Sequence, residues 1–329
     1  MKSVTNPILS GFNPDPCILR HGDDYYIATS TFEWFPGICL YHSRNLIDWN
    51  LIGHALDRPS QLDLRGIQSS EGVWAPDLTF CEEEGLFYLT YTVMRNWGYD
   101  GPRDMHNYLV TSPAIEGPWS DPIFLDSGGI DPSFCFDGDG KTYYLRNRWD
   151  YRSGKDLFAG IVMQEFERTT KSLVGESRLI YAGSGLGKVE GPHLYHLNGW
   201  YYLMTAEGGT FYDHAVSMAR SSSPWGPYET DPDNPMLSSR FFPTNPLQKA
   251  GHASLVQTQE GSWYIAHLCA RPLPSRGRCI LGREAALQKV FWTEDGWLKL
   301  EGGGREPKLV VSVPDLGASE TKKNTLVRD

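Results

Sequence analysis

The sequence carries no surplus of positive charge: 30 Lys and Arg stand against 40 Asp and Glu, a formal net charge of −10. That balance repels polyanions, so neither nucleic acid nor an anionic membrane surface is expected as a partner. No apolar run is long enough to span a bilayer, and Met1 is not followed by the basic-then-apolar pattern of a secretory leader. A cytoplasmic location with no membrane partner is therefore expected. Thiol signatures are missing as well. Cys17, Cys39, Cys81, Cys135, Cys269 and Cys279 form no CxxC pair and no zinc-finger spacing. Most lie in apolar, strand-like runs, where a free thiol behaves as a small hydrophobe. All six are expected to be reduced and structural.

What the chain does have is turns and rings. Its 34 Gly and 22 Pro among 329 residues favour many short strands over long helices. Aromatics make up 13%, including 11 Trp and 17 Tyr. Much of this is core, but a ring face also suits the apolar C–H face of a pyranose.

The chain repeats itself five times. Each repeat runs from an acidic or polar residue through a short apolar stretch and a polar turn to an aromatic strand. The segments are DPCILRHGDDYYIATST from Asp15, APDLTFCEEEGLFYLTYTV from Ala75, DPSFCFDGDGKTYYLRNR from Asp131, EGPHLYHLNGWYYLMTAEG from Glu190 and HASLVQTQEGSWYIAHLCA from His252. Anchored on Tyr26, Tyr88, Tyr144, Tyr202 and Tyr264, the spacings are 62, 56, 58 and 62 residues. A third strand, a turn closed by Trp49, Trp119 or Trp225, and an outer strand complete the repeats. Four antiparallel strands repeated five times predict an all-β, five-bladed β-propeller. A β-sandwich also has regular turns, but it does not account for five anchored repeats.

In a propeller the first strand of each blade lines the axis. The residues opening these strands should therefore converge: Asp15, the 75–77 segment, Asp131, Glu190 and His252. Three are carboxylates, read here as lying in register. Gathering carboxylates costs stability through desolvation and mutual repulsion unless they have a task. An inverting glycosidase needs such a set: a carboxylate base for a water, a carboxylic acid for the leaving oxygen, and room between them. A third carboxylate nearby can keep the acid protonated. From the bare residues a divalent-metal site of Asp15, Asp131, Glu190 and His252 also stays open.

Several segments resemble glycoside hydrolase family 43, in the family's order: NPDP at 13–16, STFEWFPG at 30–37, EGVWAPDL at 71–78, GGIDPSFCFDGDGKTYY at 128–144, VEGPHLY at 189–195, TAEGGT at 205–210, GHASLV at 251–256 and LGREAALQKV at 281–290. The nearest likeness is to its β-xylosidases, some of which also act as α-L-arabinofuranosidases. The resemblance implies that Asp15 is the general base, Asp131 the residue that tunes and orients the acid, and Glu190 the general acid. It implies that Arg283 hydrogen-bonds the sugar and that His252 sits at the pocket floor. It makes Phe32 and Trp74 aromatic walls and Thr210 a polar substrate contact, with Trp34 and Phe35 behind them. No cofactor is required. A structural calcium ion on the axis is compatible with the family, and His252 is where it would bind.

The expected organisation is a catalytic propeller over 1–315 and a polar tail or linker over 316–329, without the C-terminal β-sandwich usual in this branch. The expected activity is inverting, exo-acting β-1,4-xylosidase on short xylo-oligosaccharides. The alternatives are α-L-arabinofuranosidase, a bifunctional enzyme, or a non-catalytic sugar-binding propeller. A homo-oligomer is compatible with the sequence.

Overall fold

The computed structural model describes residues 2–98, 103–274 and 276–316. Among these, every regular element is a β-strand, and no helix is long and apolar enough to cross a membrane. Of the tail expected over 316–329, residues 317–329 lie outside the described residues.

Five antiparallel sheets follow one another along the chain, each strand pairing with the next. Their inner strands are Cys17–His21, Gly72–Cys81, Ser133–Phe136, Glu190–Leu197 and Gln248–Gln257. These define blades 1 to 5 of the predicted propeller. Blade 4 differs in having its outer strand split into Glu229–Thr230 and Leu237–Ser238, both paired with Ala215–Ser221. The alternation of apolar residues buries one sheet face against the next blade, as in the cluster of Ile38, Leu40, Leu78, Leu89 and Val110 between blades 1 and 2. Trp119 closes its turn by donating from Nε1 to the Ile115 carbonyl at 3.2 Å, and Trp49 does the same to Leu46.

Strand pairing corrects two details of the repeat. In blades 1, 2, 4 and 5 the anchor tyrosines face Leu19, Thr79, Tyr195 and Val256. The matching pair in blade 3 is Cys135 with Tyr143, so Tyr143 rather than Tyr144 is the equivalent anchor. The second detail concerns the strand tops. Asp15, Ala75, Asp131, Gly191 and His252 occupy the same position, each left-handed, with φ of 54°, 37°, 57°, 56° and 47°. Glu190 therefore stands one residue ahead of Asp15 and Asp131, not in register with them. Glycine suits position 191 twice over, because φ is positive and a Cβ there would lie 3.0 Å from the His252 ring.

Among the described residues, no blade mixes strands from the two ends of the chain. The ring closes instead through packing between blades 5 and 1, helped by the pairing of Lys2–Thr5 with Val310–Val313. Val4, Val311 and Val313 bury there with Ile18, Ile27 and Leu287. Asn6, buried at the same seam, donates from Nδ2 to the carbonyls of Leu287 and Lys308 at 2.8 and 2.9 Å, and accepts Leu287 N–H at 2.8 Å. Replacing it removes the partner of the buried Leu287 N–H and carbonyl, at about 1–3 kcal/mol, while the Lys308 carbonyl keeps Gln288 Nε2 at 3.1 Å. Asn6→Ala is therefore expected to lower Tm by several degrees in a thermal scan, with secondary structure unchanged below the transition.

Candidate active site

The five strand tops surround a cavity of about 540 Å³ at one end of the axis. All eight site residues expected from sequence line it: Asp15, Asp131, Glu190, Phe32, Trp74, Thr210, His252 and Arg283. Trp34 and Phe35 do not. They are 65% and 49% exposed, because their segment turns outward after Phe32. Phe32 is held inward by a two-way backbone bridge to Val73, with both N–O distances 2.9 Å. That bridge brings its ring to 5.8 Å from Trp74, a tilted pair forming one apolar wall.

Asp15 has polar company. Its Oδ2 accepts the Ser30 hydroxyl at 2.8 Å, and its Oδ1 accepts Arg283 Nη1 at 3.3 Å. Burial pushes this carboxyl up, but the Arg283 guanidinium leads a set of opposing effects that hold it below the ordinary carboxylate range. Arg283 also lies over the Phe32 ring, 5.1 Å from its centroid. It does not pair with neighbouring Glu284, which takes two 2.7 Å bonds from Arg271.

Asp131 and Glu190 come from adjacent blades. Burial pushes both carboxyls up, and repulsion adds to it: Asp15 acts on Asp131, while Asp131 and then Asp15 act on Glu190. The two are not equivalent. Asp131 Oδ2 accepts the Gly191 N–H at 2.9 Å, which favours its ionised form. Glu190 has no such donor among the described residues; its carboxyl is pushed well above the ordinary range, and that of Asp131 up to about 8. Asp15 and Glu190 stand on blades 1 and 4, which blade 5 separates in the ring.

His252 is buried, and burial lowers its pKa to about 4, leaving it neutral near pH 7. The carboxylate near it, Asp15, is paired with Arg283, and among the described residues no three of Asp15, Asp131, Glu190 and His252 bring ligand atoms within 4.8 Å of one another.

Sequence reasoning missed the residues that set this geometry. Ser30 bonds Asp15 and also accepts Ala75 N–H at 2.7 Å, tying blade 2 to the carboxylate. Lys188 lines the cavity near Glu190 and draws its pKa back down. Asn147, fully buried, donates its backbone N–H to Ile130 O at 3.0 Å and Nδ2 to Val189 O at 2.6 Å. It thus clamps the residue before Asp131 to the residue before Glu190. Gly129 fits beneath it only without a side chain, since a Cβ would lie 1.9 Å from the Asn147 carbonyl oxygen. Ser30 stands inside a motif and was within reach; Asn147 sits in an ordinary second strand and gave no signal.

Known proteins match this arrangement. The family model for glycosyl hydrolases family 43 matches residues 4–298. A "Xylosidase/arabinosidase 43B" from Humicola insolens is 50% identical over 95% of this chain and 58% of its own length. A "Beta-xylosidase" from Bacillus subtilis (strain 168) is 50% identical over 95% of this chain and 59% of its own. The crystal structure of xylan beta-1,4-xylosidase from Bacillus halodurans C-125 superposes with a TM-score of 0.93 at 54% identity, covering 96% of this chain and 60% of that one. The chain thus spans less than two thirds of the length of these relatives. A model match along nearly the whole propeller, on a fold whose axis gathers the family's three acids, shows that the chain belongs to glycosyl hydrolases family 43.

Proposed function

We propose that the site hydrolyses a terminal xylose from short, neutral xylo-oligosaccharides by an inverting, exo-acting mechanism. The observation that carries this reading is the sorting of three carboxyls in one cavity. Asp15 is held ionised by Arg283 and Ser30, and Glu190 is held protonated by burial and by Asp131. That is the division of labour between base and acid. Asp15 takes a proton from a water attacking the anomeric carbon. Glu190 gives its proton to the departing glycosidic oxygen. Their placement on non-adjacent blades suits inversion, which needs about 6.5–9.5 Å between the two groups. Arg283 and Thr210 offer hydrogen bonds to sugar hydroxyls, and Phe32 and Trp74 offer a face for the ring.

A second reading, α-L-arabinofuranosidase, is favoured by the double name of the Humicola insolens relative. The two are separated by p-nitrophenyl β-D-xyloside and p-nitrophenyl α-L-arabinofuranoside assayed side by side, with NMR of the first-formed sugar anomer to report inversion. A non-catalytic binder is the poorer reading. It would carry the desolvation and repulsion of three carboxyls without using them.

Asp15→Ala and Glu190→Ala are each expected to slow xylobiose hydrolysis by about 10²–10⁴-fold with unchanged Tm. An aryl xyloside should suffer less from Glu190→Ala than xylobiose does, because a good leaving group needs less protonation; equal losses would remove Glu190 from the acid role. The rate should be bell-shaped in pH. It falls on the acid side as Asp15 takes up a proton at its lowered pKa, and on the alkaline side as Glu190 loses one at its raised pKa. Asp131→Asn keeps the size but removes the charge that lifts Glu190, so the alkaline limb should move to lower pH; an unmoved limb would leave Asp131 a positioning role only. Asn147→Ala frees the clamp between the two segments, and kcat is expected to drop about 10–100-fold with KM little changed.

A further inference from the structure

Two residues below the strand tops, a second ring of side chains enters the channel. Its members are Cys17, Asp77, Ser133, His193 and Ser254. They occupy one register position, paired with Ala28, Thr90, Leu145, Met204 and Ala266 of the second strands. The two serines are engaged: Ser133 Oγ donates to Pro192 O at 2.5 Å, while Ser254 Oγ accepts Ile18 N–H at 2.8 Å. The other three turn toward one another. Asp77 Oδ1 lies 3.5 Å from Cys17 Sγ and 3.2 Å from His193 Nδ1, and one ligand atom from each residue falls within 4.8 Å of the others. Exposures are 3%, 3% and 8% for Cys17, Asp77 and His193. In sequence Asp77 looked like part of the pocket mouth, and Cys17 like a small hydrophobe.

We propose that Cys17, Asp77 and His193 form a binding site for one zinc-type divalent cation on the propeller axis, beneath the pocket. The inference is independent of the glycosidase reading. Metal–ligand legs of about 2.0–2.3 Å put neighbouring tetrahedral ligand atoms roughly 3.3–3.8 Å apart, close to the spacings found here. The donor set is selective. A thiol, a carboxylate and an imidazole suit zinc and its borderline neighbours, whereas calcium and magnesium require oxygens. The charges also close. Binding releases the thiol proton to solvent, and thiolate, carboxylate and neutral imidazole together balance a dication, so a buried site ends neutral. Outer partners already orient two ligands: Asp77 Oδ2 accepts Phe134 N–H at 3.0 Å, and Cys17 Sγ accepts Leu78 N–H at 3.3 Å. Three protein ligands leave a fourth position for water. The cation would tie blades 1, 2 and 4 at their closest approach, a structural role.

The test uses the whole chain, stripped with EDTA and titrated with zinc or cobalt. Elemental analysis after dialysis should give one zinc per chain, and zinc should raise Tm by at least about 2 °C where calcium and magnesium do not. Cobalt should produce a thiolate-to-metal charge-transfer band in the near ultraviolet. Cys17→Ser and His193→Ala should each abolish that band, while Cys39→Ser and Cys279→Ser keep it. If the Cys17 variant fails to fold, the parent's cobalt spectrum, together with protection of Cys17 from alkylation by zinc, decides in its place. No stoichiometric zinc and no cobalt band, or a band that survives loss of Cys17, would overturn the proposal and leave the triad a hydrogen-bonded plug.

Discussion

Five inner strands converge on one axis but cannot pair with each other through their backbones, since each already gives its ladder to its own blade. Side chains make the junctions instead. Cys17 meets Asp77 between blades 1 and 2, and Asp77 reaches Phe134 N–H between blades 2 and 3. Ser133 holds Pro192 between blades 3 and 4, and the Tyr195 hydroxyl accepts Leu255 N–H between blades 4 and 5. Ser254 closes the circle onto Ile18. A buried polar group without a partner costs about 1–3 kcal/mol, so these short links fix the relative height of the blades. The pocket above inherits that precision.

The strand tops carry a second constraint. Each ends in a left-handed residue, and four of these are not glycine. Such a backbone costs roughly 1–2 kcal/mol per residue for an L side chain. In return the chain turns its side chains over the channel mouth, where water is scarce. Scarce water then sorts the acids by their neighbours. Asp15 meets a guanidinium and a hydroxyl, Asp131 meets one amide, and Glu190 meets chiefly another carboxyl. Three similar groups are thereby driven apart, with Asp15 held below the ordinary carboxylate range and Asp131 and Glu190 pushed above it.

The outline of fold and site was legible from the sequence because both follow repeating local patterns. Alternating aromatics and turn residues mark strands wherever they sit, and equal spacing marks equal blades. The motifs NPDP, IDPS and VEGP place acids at the ends of inner strands, and propeller geometry converts strand ends into a shared cavity. Arg283, Phe32, Trp74, Thr210 and His252 followed from motifs in the same way, and all reach the cavity.

Other features depended on contacts between residues far apart in the chain. A shared strand-top pattern put Glu190 in line with Asp15 and Asp131, yet the left-handed turn falls on Gly191, where a Cβ would lie tightly against the His252 ring of the next blade. Asn147 looked like any polar strand residue; its role exists only because Ile130 and Val189 arrive on either side of it. Trp34 and Phe35 have the composition of a sugar platform, but the bridge from Phe32 to Val73 sends them outward. Cys17, Asp77 and His193 are 60 and 116 residues apart in sequence, with no ligand spacing to link them, and only ring closure brings them together. Local periodicity determines which residues point toward the axis; the distances between blades determine what those residues meet there.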